Sequence, residues 1–309
     1  MGEYLAGKVV AVTGGGRGIG RAVALGAAAE GARVVVADYG GAVDARSGAS
    51  SAPADAVVAE IVANGGRAVA AAEDVSTMEG GRRIVQTGKD HYGRLDGLVC
   101  CAGITITKYL WELDEQEWDN VIAAHLKGHF SCAQAASRMM MEQGSGSLVF
   151  IGSGAFSGTP NMPAYATAKA GILGFTWSTA YALARFGITT NCVVPSAATR
   201  MSDSIFGDAQ MLSDNPGATV RSDLATGTDR DPANVAPTVL YLLGDDACEI
   251  NGQVFRAQGY DVARMGDIVW DQAMSNDGPW DVAGIAERLP DELGPTLTPR
   301  SVPWPERPR

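Results

Sequence analysis

The apolar run Val9-Val10-Ala11-Val12 passes through Thr13 directly into Gly14-Gly15-Gly16-Arg17-Gly18-Ile19-Gly20, and an alanine-rich stretch then continues to about Glu30. This order predicts a strand, a glycine turn and a helix. A strand that enters a helix through a tight turn belongs to a β-α-β unit, which requires a parallel neighbour and a right-handed crossover. Further apolar strands are predicted at 33–38, 67–72, 95–101, 148–151, 188–194 and 253–256, with Pro195 stopping the sixth. Helical stretches fall between them at 54–64, at 114–143 with a break near Gly128, from before Tyr165 to about Phe186, and at 232–243. The alternation predicts one α/β domain, a doubly wound parallel sheet with helices on both faces.

The glycine turn has a chemical reading as well as a structural one. Glycines let a backbone approach a pyrophosphate closely, and the helix that follows offers free N–H groups at the positive end of its dipole. Gly14, Arg17, Gly18, Ile19 and Gly20 are therefore candidate dinucleotide-binding residues, and the fold becomes Rossmann-type. The second strand ends at Asp38, about twenty residues after the glycines, where a carboxylate can accept both ribose hydroxyls of NAD and repel the extra phosphate of NADP. Arg17 points the other way, since a basic residue in the turn could pair with that phosphate. The balance predicts NAD, with NADP less favoured. Asp74 could bond the adenine amine or cap the helix after Ser76. Ala102 and Gly103, after the fourth strand, are small enough for a cofactor to lie against the backbone.

Composition narrows the partners. A net charge of -11 argues against nucleic acid or an anionic membrane as the main partner. The first five residues lack the charge and apolar stretch of a secretory signal, and no run reaches the ~20 apolar residues of a membrane span. The five cysteines include no Cys-x-x-Cys pair, which predicts reduced thiols in the core of a cytoplasmic protein.

Tyr165 and Lys169 are four residues apart, so a helix puts them on one face, one turn apart. A free tyrosine titrates near pH ~10, and an adjacent ammonium favours the phenolate, which brings the phenol within reach of general-base chemistry. Ser153 follows the apolar strand just upstream and is the candidate oxyanion donor. His125 and His129 share a helix face at a spacing used by zinc proteases. The intervening Leu-Lys-Gly lacks the catalytic glutamate, so no metal is expected.

The segment 197–230 shows no sustained period and is expected to be a substrate lid. The catalytic domain is expected to span 1–260, and 261–309, with Trp270, Trp280 and Trp304, to pack as an extension on the same domain or a neighbouring subunit.

The glycine motif, Asp38, Ser153 and Tyr165-x-x-x-Lys169 together closely resemble the short-chain dehydrogenase/reductases, over about 6–260. Within them the chain resembles the (3R)-hydroxyacyl-CoA dehydrogenase domain of multifunctional enzyme type 2 and its bacterial relatives. That narrower likeness rests on Asp38-Tyr39-Gly40-Gly41, His125-Leu126-Lys127-Gly128, the run from Asn191 to Met201, and Cys248-Glu249-Ile250-Asn251-Gly252-Gln253.

The resemblance implies interconversion of a secondary alcohol and a ketone, with Tyr165 moving the proton, Ser153 bonding the oxyanion and Lys169 also holding ribose hydroxyls. It places Val75, Pro195, Ala198 and Thr199 with Ala102 and Gly103 around the cofactor, and suggests a homodimer or homotetramer built through the long helices after Gly103 and Pro163. His125, standing where the family has asparagine, either passes protons through water or is a buried structural histidine. Two departures bear on the pocket: Cys100-Cys101-Ala102-Gly103 replaces the usual Asn-Asn-Ala-Gly, and Ser153 stands twelve residues before Tyr165, where thirteen is common, which leaves Ser157 as the alternative hydroxyl. The substrate stays open among a 3-hydroxyacyl-CoA, a steroid or terpenoid alcohol, or another alcohol. An NADPH-dependent ketone reductase and a catalytically inactive dinucleotide-binding sensor or scaffold are the competing readings. Arg200, Arg221 and Arg230 are candidate partners for coenzyme A phosphates.

Overall fold

The strands are short runs of valine, alanine and leucine that are apolar on both faces, so each must be covered from both sides. The structure, a computed structural model, describes residues 2–41, 49–206 and 220–296. Eight strands form one sheet in the order β3-β2-β1-β4-β5-β6-β7-β8. They are β1 (Val9–Thr13), β2 (Arg33–Ala37), β3 (Arg67–Ala71), β4 (Gly97–Cys100), β5 (Gly146–Ile151), β6 (Ile188–Ser196), β7 (Val254–Gln258) and β8 (Asp261–Arg264). All neighbours are parallel except β7 and β8, which are antiparallel. Asp261–Arg264, assigned from sequence to the tail, is thus an edge strand and an exception to the predicted parallel sheet. A two-residue turn at Gly259 (φ +55°) and Tyr260 returns the chain at once, which only antiparallel pairing permits.

Helices α1 (Gly18–Ala29) and α2 (Ala52–Ala63) cover one face with α8 (Ala236–Leu243). On the other face lie α3 (Met78–Tyr92), α5 (Gly128–Gln143) and α6 (Pro163–Leu183). Val10, Val12, Val34 and Val36 point into the first layer, and Val9, Ala11 and Val35 into the second, as the period of a strand requires. Each fully buried valine or leucine stabilises the fold by about 1.5–3 kcal/mol.

β6 does not stop at Pro195 as expected but runs on to Ser196, with Pro195 opposite Ala257. The reason is the alternation of a parallel ladder. Cys192 N–H donates towards β7 and the Val193 carbonyl accepts from Gly152 on the β5 side. Pro195 therefore also faces β5, beyond that strand's last residue, and its missing N–H removes no ladder bond. The other end of β6 is fastened by asparagines: Asn191 Nδ2 donates to Ile250 O at 2.7 Å, and Thr190 N donates to Asn251 Oδ1 at 2.8 Å.

The break expected near Gly128 is a five-residue π-helical segment, Ala123–Lys127, between α4 (Glu115–Ile122) and α5. Within the span 197–230, α7 (Arg200–Phe206) and a 3-10 turn at Ser222–Leu224 are regular, contrary to the aperiodic reading. Ser222 N donates to Asp203 Oδ1 at 3.0 Å and ties the two together. The central lid residues 207–219 and part of the loop after Gly40, 42–48, lie outside the described residues, as does Trp304. All five cysteines are free; Cys248 is exposed rather than in the core.

The chain divides into two compact units, Met1–Met265 and Gly266–Arg309. In the second, α9 (Val282–Glu292) is capped by Asp281, whose carboxylate accepts from Gly284 N at 2.7 Å, and Arg288 lies 5.0 Å from the centre of the Trp280 ring. No described helix is long and apolar enough to cross a membrane.

α3 and α5 meet at a glycine: a Cβ on Gly81 would lie 2.6 Å from the Ser131 carbonyl carbon. Backbone cannot swing aside as a side chain can. Gly81→Ala is expected to destabilise the protein by about 1–3 kcal/mol, read as a lower urea midpoint at unchanged slope.

Candidate active site

Since all strands from β1 to β7 run the same way, their carboxyl ends share one edge, and a cavity of about 1270 Å³ opens there. Its floor lies between β1 and β4, where the strand order reverses. Gly14 makes the crevice possible. Its φ is +64°, and a Cβ there would stand 2.9 Å from the Ala102 backbone. α1 starts from Arg17 with no side-chain cap, so no side chain occupies its first N–H groups. Asp38 braces the turn, its Oδ2 accepting from Gly16 N at 2.9 Å and its Oδ1 from Gly40 N at 2.8 Å. A carboxylate has about four acceptor positions, so both oxygens retain capacity for ribose hydroxyls. Arg17 Nη1 donates to Gly41 O at 3.2 Å. The uncapped helix, the close backbone approach and the carboxylate fit a dinucleotide.

Gly14, Arg17, Gly18, Ile19 and Asp38 all line the cavity, but Gly20 does not. A Cβ on Gly20 would lie 2.1 Å from Gly14 O, so this glycine permits the turn rather than facing a ligand. Val75, Ala102, Gly103, Pro195 and Thr199 also line the space. Ala198 is buried beneath it, and its N–H donates to Arg230 O at 2.8 Å. Asp74 lines the cavity too, but its Oδ1 accepts from Ser76 N at 2.9 Å, while the cap of α3 is Thr77, accepting from Gly80 N. The helix-cap alternative for the Asp74 side chain is therefore corrected: the threonine is three residues closer to the helix and takes that N–H.

Ser153, Tyr165, Lys169 and His125 converge on the same cavity. Ser153 leaves β5 in extended conformation and its Oγ accepts from Ala155 N at 3.2 Å. Ser157, the alternative hydroxyl, is exposed outside the lining. Tyr165 sits in the first turn of α6, and Lys169 Nζ lies 5.5 Å from the centre of its ring. The lysine is 4 % exposed and donates to Ile151 O at 2.7 Å. Met162, Ala164 and Val121 form one apolar cluster with Tyr165, and Met201 and Ile205 of α7 pack against it.

His125 is 1 % exposed, and its ring meets that of Tyr165 edge-on at 5.0 Å. Its Nε2 lies 2.7 Å from Ile104 O and 3.1 Å from Ile104 N, so a neutral ring holds the loop after β4 through one of these. A Cβ on Gly103 would fall 2.1 Å from His125 Cε1, which explains why glycine precedes that loop. His129 Nδ1 donates to His125 O at 2.6 Å. Burial, then the nearby Lys169 ammonium, hold His125 well below its usual pKa, and the same causes push His129 down to about 3.

Sequence reading missed Asn120, Thr159, Asn161, Met162 and Gln258 in the lining. Asn161 and Met162 immediately precede the Tyr165 helix, a position that could have marked them. Gln258 is brought in only by the β6–β7 register.

Below the usual histidine pKa of 6.5, both buried imidazoles bind fewer protons in the folded than in the unfolded chain. Stability is therefore complete above that value and is lost as pH falls from 6.5 towards about 3. His129 is expected to contribute about 1 kcal/mol per pH unit in that window, and His125 acts in the same direction. Urea titrations between pH 7 and 5 check this, with a shallower pH slope expected for His129→Phe.

Residues 8–209 match the family model for short chain dehydrogenases. The chain is 37% identical to a 3-oxoacyl-[acyl-carrier-protein] reductase of Synechocystis over 82% of its length and 97% of that protein. It is 35% identical to the hydroxyacyl-CoA dehydrogenase ChsB1 of Mycobacterium tuberculosis over 93% of its length and 89% of that protein. The crystal structure of a short chain dehydrogenase from Mycobacterium avium superimposes with a TM-score of 0.82 at 36% identity, over 97% of this chain and 99% of that one. The chain belongs to the short-chain dehydrogenase family, oxidoreductases that act on hydroxyl or keto groups with NAD(P).

Proposed function

We propose that this protein is an NAD-dependent dehydrogenase that interconverts a secondary alcohol and a ketone. The observation that carries the proposal is the convergence of Ser153, Tyr165 and Lys169 on the cavity that the uncapped glycine turn and Asp38 also line. A bound nicotinamide dinucleotide supplies the hydride acceptor or donor. Tyr165 takes the proton of the alcohol, or returns it in the reverse direction, from a position 8 % exposed to solvent. Ser153 donates to the oxygen as negative charge develops on it, where a fixed donor contributes most. Lys169 holds positive charge beside the tyrosine ring, anchored by Ile151 O. The relatives' names support a 3-hydroxyacyl or 3-oxoacyl thioester as the substrate; a steroid or terpenoid alcohol is the alternative.

Asp38 supports NAD. A second reading, an NADPH-dependent reductase, is favoured by Arg17 and by Arg200, whose pKa is lowered by burial and then by the neighbouring Arg17, with Asp38 acting against them. A dinucleotide-binding sensor without chemistry would be marked by no NADH formation across a panel of alcohols. Free thiols support a cytoplasmic enzyme. The exposed Phe130 and Met141 on α5 and Tyr181 on α6 support a homodimer or homotetramer through these helices.

Tyr165→Phe is expected to lower turnover by roughly 10²–10⁴-fold while NADH still binds with wild-type affinity in a fluorescence titration. In the same titration NADPH is expected to bind more weakly than NADH, and the opposite order would reject the NAD assignment. Light scattering is expected to give at least twice the chain mass, reduced to one chain mass by Tyr181→Arg combined with Phe130→Arg.

A further inference from the structure

Two groups of residues stand out in the cavity lining. The first comes from the ends of β1 to β4 and from Pro195 to Thr199, and it fits the dinucleotide. The second belongs to a separate apolar cluster, in which Tyr165 is the one residue shared with the cofactor candidates. Ile104, Ala155, Met162, Met201 and Ile205 of that cluster line the cavity, so the space beside Tyr165 has an apolar wall. The arginines considered for coenzyme A phosphates are engaged elsewhere. Arg221 is paired with Asp223, Nε to Oδ1 at 3.0 Å, outside the lining. Arg200 lies near Arg17 and Asp38, and Arg230 Nη1 donates to Ser196 Oγ at 3.0 Å.

One uncharged amide is set into the apolar wall by its own loop. Met162 N donates to Thr159 O at 3.1 Å, closing a turn with Pro160 and Asn161 at its centre. Proline fixes φ at the first central position. The buried Met162, next in the chain, belongs to the same cluster as Tyr165. Asn161 is half-buried in the lining, and among the described residues nothing bonds its side-chain amide. The other amides of the lining stand differently: Asn120 Oδ1 accepts from Gln116 Nε2 at 2.9 Å, and Gln258 lies opposite Ser196 on β7, outside the cluster.

We propose that the Asn161 amide donates to the thioester carbonyl of a 3-oxoacyl or 3-hydroxyacyl substrate, while the apolar wall takes its alkyl chain. This rests on the dehydrogenase reading of the same cavity. In such a substrate the thioester carbonyl stands one methylene away from the carbon that reacts, so it lies beside the oxygen held by Ser153 and Tyr165. A neutral donor suits a neutral carbonyl. A substrate with no second carbonyl leaves the half-buried amide unpaired, which is how a hydrogen-bonding group discriminates. Asn161 is thus a specificity residue for the acyl group, at a place separate from the dinucleotide.

The test is calorimetric titration of the full chain, saturated with NAD⁺, with the N-acetylcysteamine thioester of 3-oxobutanoate. The comparison ligand is the thioether in which a methylene replaces the thioester carbonyl and the ketone is kept. The wild type is expected to bind the thioester about 3–10-fold tighter than the thioether. Asn161→Asp, which keeps the shape and loses the N–H, and Asn161→Ala are expected to bind the two equally. Thr159→Val is expected to keep the preference, and NAD⁺ to bind all four proteins alike. Binding of neither compound, no preference in the wild type, a preference kept in both Asn161 variants, an equal loss in Thr159→Val, or a defect confined to NAD⁺ binding would each overturn the proposal. Reduction of the thioester with NADH or NADPH is followed separately. Its absence, with the binding preference intact, rejects the dehydrogenase reading and leaves the role of Asn161 standing.

Discussion

A sheet of parallel strands covered on both faces has only its edges left for binding, and this constraint governs the molecule. Every crossover from β1 to β7 returns the chain in the same direction, so the loops after the strands converge at one edge. Because β1 lies between β2 and β4, the loops that follow β1 and β4 diverge and leave a crevice. The near contact of Gly14 with Ala102 sets its depth. Larger side chains at either place would close it.

The electrostatics of the crevice follow from burial. Lys169 is an ammonium almost out of solvent, which is costly unless its hydrogen bonds are met, and Ile151 O meets one of them. The low-dielectric surroundings that press on this cation also act on its neighbours. Burial raises the Cys101 thiol to about 11 and the Cys192 thiol to about 12, although the ammonium opposes both shifts. The two histidines stay neutral, since burial and the same cation both oppose a second positive charge. The buried thiols and imidazoles around Lys169 thus remain uncharged near neutral pH.

His125 shows how a side chain can serve a site by holding backbone. Its ring fixes Ile104 and fills the volume that glycine leaves at Gly103, while its carbonyl, in the π-helical segment, is taken by His129. The sequence offered proton transfer and a structural role as alternatives for this residue. The geometry engages the ring with the Ile104 backbone. A π-helical turn could not be foreseen, because its hydrogen-bond shift leaves no periodic trace in five residues.

Much of this was legible in the chain itself. Apolar runs and the glycine turn determined the alternation of strands and helices, the parallel sheet and the location of the crevice beside that turn, because these depend on local conformation and on the period of burial. The i, i+4 pair of Tyr165 and Lys169 needed only a helix to meet. What tertiary structure decided were relations across strands: that Pro195 could stay inside β6, that β8 turns back antiparallel, that Gly20 faces the turn rather than the ligand, and that Ser196, Arg230 and Gln258 share a corner. Those depend on the register of strands far apart in sequence, which hydrophobic period does not encode.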